Sequence, residues 1–379
     1  MEKGDVKKAS SLMMTAVFAG FLIFFTLGFF VIPYQGVNFT EQRNYAPMPE
    51  ISSDALLSGS YSKGLEQYLK DHLALRPELV TLCSELKTVF GRTVPDIVFR
   101  GKDGQFFLRN NTIDTELKKV AGEIRAFAEK QDVPVDMLID PDAAAILTDK
   151  LPFAYVGDNE DEIADYFLKQ AGGNLKVYYS KDRIAELRDS GMKTFYRTDQ
   201  HWTTDCARGV LDWYLSESGQ PPLTAEYTEN ETASFFGNLY SGSPGFFDET
   251  ETLKYYVNPD GEYHVKELDT GLERDSLYDM TWDSGIRNRY NVFLGGHFIN
   301  THITSNAKGG KALLLGDSYL MALVPFLADC YSEIRVLDMR QFGERGKTVA
   351  ELIGDFKPDR ILFVNTVYQL SCGASGGIK

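Results

Sequence analysis

Residues 311–319 read Lys-Ala-Leu-Leu-Leu-Gly-Asp-Ser-Tyr, an apolar run that stops at a glycine, an acid and a serine. The run predicts a buried strand over 312–315, and the apolar residues at 320–328 predict a helix directly after the turn. Functional side chains of α/β sheets collect at the carboxyl ends of the strands. We therefore expect Ser318 at such an edge, with its hydroxyl exposed and the N-terminus of the next helix able to hold an oxyanion.

Strands and helices alternate on both sides of this turn, which predicts an α/β sheet within one large domain, 61–379. Further strands are expected at 133–139, 175–179, 193–197, 334–337 and 360–364, further helices at 61–90, 113–131, 204–216 and 349–356, and a hairpin at 97–108. Around 218–290 the chain is polar, Gly-rich and aromatic, which is typical of a lid or insertion.

A serine is a poor nucleophile until a base removes its proton. Of the five histidines, His201 has the most informative neighbours, because Asp199 lies two residues earlier. Its carboxylate could reach ring Nδ1 and fix the tautomer in which Nε2 acts as the base. The residues alone leave a second interpretation open: Asp199 caps a helix, His201 packs against Trp202, and Ser318 belongs to an ordinary turn.

A metal centre at Asp199 and His201 would need one or two further ligands. His297 and His302 can be proposed, but no spacing in the chain supports them. We therefore expect no metal and no cofactor. We interpret His264, His297 and His302 as structural or substrate-facing residues.

The 21 residues from Leu12 to Ile32 carry no charge, and at 1.5 Å per residue they can cross a hydrocarbon core of about 30 Å. We interpret residues 12–32 as an uncleaved transmembrane anchor, since the apolar region of a signal peptide has only about 7–15 residues. A buried core helix and a cleaved signal are the alternatives. Residues 33–60, with Pro47, Pro49 and Gly59, are then expected to form a tether.

Basic residues flank the apolar run unequally. Lys3, Lys7 and Lys8 precede it, and the first basic residue after it is Arg43. The positive-inside rule therefore predicts that residues 1–11 are a short cytoplasmic tail. The domain after the anchor is expected to be extracytoplasmic.

The composition of the chain excludes several classes of protein. Acidic residues outnumber basic ones by 54 to 39, and the resulting charge of −15 would repel a phosphate backbone, so no nucleic acid partner is expected. The 25 Phe and 20 Tyr residues exclude global disorder. The four cysteines lie far apart and form no metal or redox pair, so free thiols and one long-range disulfide both stay open.

Several short motifs, taken together, resemble one known family. They are found at 44–47, 68–72, 76, 101–104, 199–202, 236–241, 295–296, 316–319, 324–327 and 338–340. On these residues the chain resembles the DHHW family of bacterial cell-envelope proteins, whose SGNH-hydrolase-like domain is shared with the alginate O-acetyltransferases. Gln200 stands at the second position of the Asp-His-His-Trp signature, so no role is implied for a second histidine.

The resemblance implies a flavodoxin-like sheet sandwiched by helices, with a permuted motif order in which His201 precedes Ser318. It implies Ser318 as the nucleophile, His201 as the general base and Asp199 as the residue that orients the base. The Ser318 backbone N–H is the expected first oxyanion donor. Gly295 or Gly296 is expected to supply a second, because glycine lets the backbone approach a ligand closely.

The implied function is serine-dependent acetyl transfer to a cell-envelope or secreted polysaccharide through an acyl-serine intermediate. Because acetyl-coenzyme A is not free outside the cell, a membrane-bound O-acyltransferase is the expected acetyl supplier. A carbohydrate acetylesterase would use the same residues. A non-catalytic glycan-binding or scaffold protein of an envelope assembly would need no contact between Ser318 and His201, so the distance between these side chains distinguishes it from the two enzymes.

Overall fold

The computed structural model of the chain describes residues 3–32, 36–38, 40–41, 43–89, 97–109, 115–152, 155, 159–280, 289–296, 299–342, 348–372 and 378. The chain forms two compact units. The first comprises Met1–Gly91 and Pro244–Phe246, and the second comprises Arg92–Ser243 and Phe247–Lys379.

The first unit begins with helix α1 (Lys3–Val31), which contains the apolar window Lys8–Val31 with a mean hydropathy of 2.3. At 1.5 Å per residue the 24 residues of this window extend about 36 Å, more than the thickness of a hydrocarbon core. None of the window is buried inside the protein, unlike the core helix of a soluble protein. Within the described residues, α1 is the one helix that is long and apolar enough to cross a membrane.

The segment expected to be a tether, 33–60, contains elements of its own. They are the short strands β1 (Val37–Asn38) and β2 (Arg43–Asn44) and helix α2 (Ser53–Ser58). Two longer helices follow, α3 (Ser60–Asp71) and α4 (Arg76–Val89). The first compact unit accordingly extends to Gly91, beyond residue 61, where the sequence placed the start of the folded domain.

An ion pair between Arg43 and a buried carboxylate joins this segment to α3. The Arg43 guanidinium donates to both oxygens of Asp71, at 2.9 and 2.6 Å, and the Ala46 N–H donates to the same carboxylate at 2.9 Å. The Arg43 hydrogen bonds lower the pKa of Asp71 to about 2, so the buried carboxylate stays charged. A buried charge requires such partners, and supplying them orders the chain around Arg43.

The second unit is built on an eight-stranded sheet. The strands of this unit are, in chain order, β3 (Val98–Arg100), β4 (Phe106–Leu108), β5 (Val135–Asp140), β6 (Leu175–Tyr179), β7 (Thr228–Phe235), β8 (Glu251–Val257), β9 (Tyr263–Glu267), β10 (Glu273–Arg274), β11 (Asn300–Ser305), β12 (Lys311–Gly316), β13 (Glu333–Asp338) and β14 (Arg360–Thr366). The order across the sheet is β10-β9-β11-β13-β12-β14-β5-β6. From β13 to β6 the strands are parallel, and β11, β9 and β10 continue the sheet in antiparallel fashion.

Helices cover both faces of this sheet. Those of the second unit are α5 (Thr115–Ala128), α6 (Ala143–Ile146), α7 (Glu160–Leu168), α8 (Lys181–Asp189), α9 (Thr204–Glu217), α10 (Leu320–Leu327), α11 (Met339–Phe342), α12 (Val349–Phe356) and α13 (Val367–Ser371). Helices α5, α7, α12 and α13 share one hydrophobic core, and α8, α9 and α10 share the other. Along β12, Ala312 and Leu314 face the core that contains α8, α9 and α10, while Leu313 and Leu315 face the core that contains α5, α7, α12 and α13. This alternation is the two-residue period of a strand. The predicted α/β sheet sandwiched by helices is confirmed.

Two regions differ from the sequence-based expectation. Of 193–197, expected to be a strand, Phe195 forms an isolated bridge with Trp202. The Arg197 and Thr198 N–H groups donate at 2.9 Å to the Glu251 carboxylate, so they do not pair with a neighbouring strand. The region 218–290 holds the β7–β8 hairpin together with β9 and β10, which lengthen the main sheet and do not form a separate lid.

The Asp136 carboxylate in β5 is buried and accepts hydrogen bonds from Arg360 and, at 2.7 Å, from the Tyr214 hydroxyl. Loss of the cation leaves a buried charge unpaired, so Arg360→Ala should lower the free energy of unfolding by about 3–5 kcal/mol in chemical denaturation. Arg125→Ala is the matched control, because its pair with Glu129 is exposed and should be worth less than about 1 kcal/mol. Equal losses for the two variants would contradict a structural role for the buried pair.

Candidate active site

A tight turn carries Asp199 and His201. Its base is the bridge between Phe195 and Trp202, and the Tyr196 N–H donates to the His201 carbonyl at 3.2 Å. Helix α9 follows directly, with Thr203 as its N-cap, since the Thr203 side chain accepts from the Cys206 N–H at 3.2 Å. Thr203 and not Asp199 therefore caps this helix, which leaves the Asp199 carboxylate for other partners.

The Asp199 carboxylate orients the histidine. Its Oδ1 accepts from the His201 backbone N–H at 2.9 Å and also contacts ring Nδ1, while Oδ2 accepts from the Asn238 N–H at 2.8 Å. Burial works to raise the pKa of Asp199, but the charge and hydrogen bonds of His201 outweigh it and hold the pKa below its ordinary value. A carboxylate beside Nδ1 favours a proton on that nitrogen, which leaves Nε2 to accept a hydrogen bond.

Ser318 lies in the turn between β12 and α10, at the carboxyl edge of the sheet. Its Oγ is 2.7 Å from His201 Nε2, although the two residues are 117 positions apart. Asp199 and His201 are buried, with 0% and 2% of their surface exposed, whereas Ser318 is half-buried. The three side chains expected to act together are therefore in contact, and the serine is the one that a substrate can reach.

The ring of His201 is held by a residue that the sequence did not single out. Tyr290 stacks on it with 3.7 Å between ring centroids and 5° between the planes. Tyr290 is itself buried. It lies 89 residues beyond His201 and outside every motif, so no local pattern in the sequence identifies it. Its packing fixes the plane of the imidazole ring in which Nε2 meets Ser318.

The turn that carries Ser318 is held in place by Asp317. Its Oδ1 accepts from the Tyr319 N–H at 2.9 Å, and its Oδ2 accepts from the Thr366 N–H at 2.7 Å and the Thr366 hydroxyl at 3.1 Å. Burial raises the pKa of Asp317. These bonds tie the residue before Ser318 to the end of the neighbouring strand β14.

Glu251 supports the histidine turn from its other side. Its carboxylate accepts from the Arg197 and Thr198 N–H groups and from the Thr198 hydroxyl, at 2.9–3.0 Å, and pairs with Lys193. Glu251 is buried, and it lies in β8 within the region interpreted from sequence as an insertion. The insertion therefore contributes a support of the site as well as strands of the sheet.

The oxyanion donors expected from sequence have different surroundings. Within the described part of the chain, no backbone acceptor receives the Ser318 N–H, and its role as an oxyanion donor stays a prediction. Gly295 and Gly296 have left-handed backbones, with φ of 69° and 71°, in the segment that also carries Tyr290. The Gly296 N–H donates to the Phe293 carbonyl at 3.0 Å. A donor role for either glycine stays a prediction.

The remaining histidines and the cysteines form no metal site among the residues described. His264 pairs with Asp275 at 2.9 Å through two exposed side chains, and His302 lies 3.5 Å from Glu333. His297 lies outside the described residues. All four cysteines are free thiols, so the long-range disulfide left open by the sequence is not present.

No protein-family model and no curated protein sequence matches the chain. Several solved structures match it. A DHHW family protein from Eubacterium siraeum is 20% identical to this chain, with a TM-score of 0.59, and the match covers 72% of this chain and 92% of that protein. PatB1 from Bacillus cereus is 22% identical with a TM-score of 0.62, over 75% and 99% of the two chains. A structure of PatB1 with a sulfonyl adduct gives 22% identity and a TM-score of 0.60, over 73% and 97%. The likeness shows a shared fold, and the expected DHHW-like fold is confirmed.

Gly237 provides a test of how closely the site is packed. A Cβ at this position would lie 2.2 Å from the Asp199 Cβ and 2.5 Å from its Cα, so Gly237→Ala must displace Asp199. A displacement of about 1 Å in such a site lowers the rate about 100-fold. We therefore expect a sulfonyl fluoride to modify Ser318 about 100-fold more slowly in this variant. Mass spectrometry measures the rate of modification. Gly122→Ala on α5 meets nothing within 4 Å and should react like the unchanged protein. Unaltered labelling of Gly237→Ala would contradict the placement of Asp199.

A second buried acid near the site gives a test by pH. Asp140, at the end of β5, accepts from the Ser180 hydroxyl at 2.7 Å. Burial, reinforced by the charges of Asp317 and Asp142, raises the pKa of Asp140 well above its ordinary value. The folded protein thus keeps a proton that the unfolded chain releases above about pH 4, so this group's contribution to stability falls as the pH rises through its folded pKa.

Asp140→Asn cannot titrate at this position and keeps an oxygen to accept from Ser180. The thermal unfolding temperature of the variant, relative to that of the unchanged protein, should therefore increase as the pH rises from about 4 towards 8. Differential scanning calorimetry across this range measures the difference. A difference that stays constant with pH would contradict a protonated Asp140 in the fold.

Proposed function

We propose that this chain is a membrane-anchored serine O-acetyltransferase that works outside the membrane on a cell-envelope or secreted polysaccharide. The observation that carries the proposal is the contact of His201 Nε2 with Ser318 Oγ at 2.7 Å, with Asp199 on the other ring nitrogen. A buried acid, a base and a reachable serine in this order are the arrangement that activates a hydroxyl for acyl transfer. A non-catalytic scaffold would not need it.

In the first half-reaction, Nε2 of His201 takes the Ser318 proton while Oγ bonds to the carbonyl carbon of an acetyl donor. The negative charge on the carbonyl oxygen falls beside the Ser318 N–H and the start of α10. The imidazolium, stabilised by Asp199, then gives its proton to the departing donor oxygen as that bond breaks. Acetyl-Ser318 is left.

In the second half-reaction, Nε2 removes the proton of an acceptor hydroxyl as its oxygen attacks the acetyl carbon. The Ser318 Oγ leaves and regains the proton from His201. The acceptor alone decides the outcome, because a sugar hydroxyl gives transfer and water gives hydrolysis. An acetylesterase therefore differs from the proposed transferase in the second substrate and not in the catalytic groups.

Three observations support transfer to a glycan outside the cell. The motifs resemble the DHHW family, the apolar helix α1 is fit to hold the domain at a membrane, and the region 218–290 is rich in aromatic residues, which stack well on sugars. The structure of PatB1 with a sulfonyl adduct is also in accord, since sulfonyl reagents bond to activated nucleophiles. We further propose that a membrane-bound O-acyltransferase passes the acetyl groups outward.

The catalytic assignment is tested with a small acetyl ester. Ser318→Ala and His201→Ala should each abolish cleavage, and Asp199→Asn should cost about 10⁴-fold, as an equivalent change does in serine proteases, with the fold intact by circular dichroism. The double variant at Ser318 and His201 should be scarcely worse than either single one, because the residues act as a unit.

The control substitutions His264→Ala and Ser190→Ala change the same residue types at positions outside the site and should leave the rate unchanged. Transfer is then separated from hydrolysis by supplying an oligosaccharide: acetylation of the sugar should outpace release of acetate. Release of acetate alone would favour the esterase. Full glycan acetylation in cells that express Ser318→Ala at normal levels would refute the proposed chemistry.

A further inference from the structure

The outer end of α1 packs against the turn that joins α3 to α4. Gly28 leaves room for this contact, since a Cβ on it would lie 2.6 Å from the Ala74 Cβ. One residue further, the Phe29 ring meets Tyr68 of α3 edge to face, with 5.7 Å between centroids. Ala74 is buried as a result, with 1% of its surface exposed. The turn therefore lies beside Gly28, within the apolar window.

The depth of that contact follows from helix geometry. The window ends at Val31, so Gly28 is three residues, or about 4.5 Å, inside its end. A hydrocarbon core of about 30 Å centred on the window of about 36 Å would end near Phe29. The turn of α3 and α4 is thus placed at the boundary between acyl chains and headgroups.

The side chains on either side of Ala74 suit that boundary. Leu73 and Leu75 are 41% and 46% exposed, so the described protein leaves a large part of each apolar side chain uncovered. Leu75 also has a left-handed backbone, with φ of 57°, a conformation that is unfavourable for a bulky residue. Glycine or asparagine would adopt this backbone conformation at a lower energetic cost, but neither has the apolar side chain that leucine provides.

Aromatic residues form the next layer of the same unit. Tyr68 stacks on His72 with 4.2 Å between ring centroids, and Tyr45 lies 5.3 Å from His72 on its other side. Tyrosine rings gather at the headgroup level of membranes, where one end is apolar and the other is wet. The Arg43–Asp71 ion pair of the same unit lies next to this layer.

We propose that Leu73 and Leu75 insert into the outer leaflet of the phospholipid bilayer, so that the α3–α4 turn is a second membrane contact beside α1. This inference rests on the membrane anchoring in the proposed function and not on its chemistry. Two contacts restrict rotation of the unit about α1, whereas a single spanning helix does not. The turn thereby sets how the first unit stands on the membrane surface.

The test uses the full chain in phosphatidylcholine liposomes, with and without bromine on the acyl chains, because bromine quenches tryptophan that touches them. Leu73→Trp should lose emission in the brominated liposomes beyond the loss shown by the unchanged protein. Leu86→Trp is the matched control: Leu86 is 46% exposed but lies ten residues, about 15 Å, along α4 from Arg76. It should show no added loss.

Added quenching at position 73 and not at 86 supports the proposal. The proposal is overturned if position 73 shows no added quenching, which is the result expected when a protein partner or a second copy covers the turn. Equal quenching at both positions also overturns it. Leu69→Trp, one helical turn before Leu73, replaces Leu73→Trp if that variant does not fold, and it should fall between the two. Flotation with the liposomes reports anchoring, and ester cleavage reports the catalytic proposal, so each can fail separately.

Discussion

The Asp199 carboxylate is completely buried, and a buried charge is costly unless hydrogen bonds and an opposite charge compensate it. Its oxygens meet this need with the backbone N–H groups of His201 and Asn238 and with the imidazole Nδ1. These partners come from two parts of the chain, the 195–202 turn and the short helix that starts at Asn238. One charge thus orients the imidazole of His201 and holds together the turn that carries it and the helix that starts at Asn238.

The sheet positions Ser318, the third of the three side chains in contact, whatever the order of these residues along the chain. Strand β12 lies between β13 and β14, so its carboxyl end is surrounded by neighbours on both sides. Asp317 uses one of them, Thr366 at the end of β14, to hold the turn in place. His201 comes from a turn before α9, far earlier in the chain. The 117 residues that separate His201 from Ser318 therefore do not prevent their contact at 2.7 Å.

The parts of this arrangement that depend on local pattern could be predicted from the sequence. The apolar run before Ser318 marked a strand and its turn, and the two-residue spacing of Asp199 and His201 marked a carboxylate within reach of an imidazole. What could not be predicted depends on contacts across the chain. Tyr290 reaches His201 only through the folded path of its segment, and nothing local distinguishes Glu251 from the other acids. The strand predicted at 193–197 is wrong for the same reason, since Glu251 accepts the Arg197 N–H and the His201 carbonyl accepts the Tyr196 N–H.

The stack of Tyr290 on His201 has a kinetic consequence. With 5° between the two rings, Tyr290 restricts movement of the imidazole, so in the proposed transferase the same nitrogen would serve the departing donor and the arriving acceptor from one position. Donor and acceptor then occupy the same space in turn and exclude each other. Such an enzyme alternates between two forms, and an excess of glycan competes with the donor for the unacetylated form. Supply of acetyl groups, more than affinity for the polymer, would then govern how densely the polymer is modified.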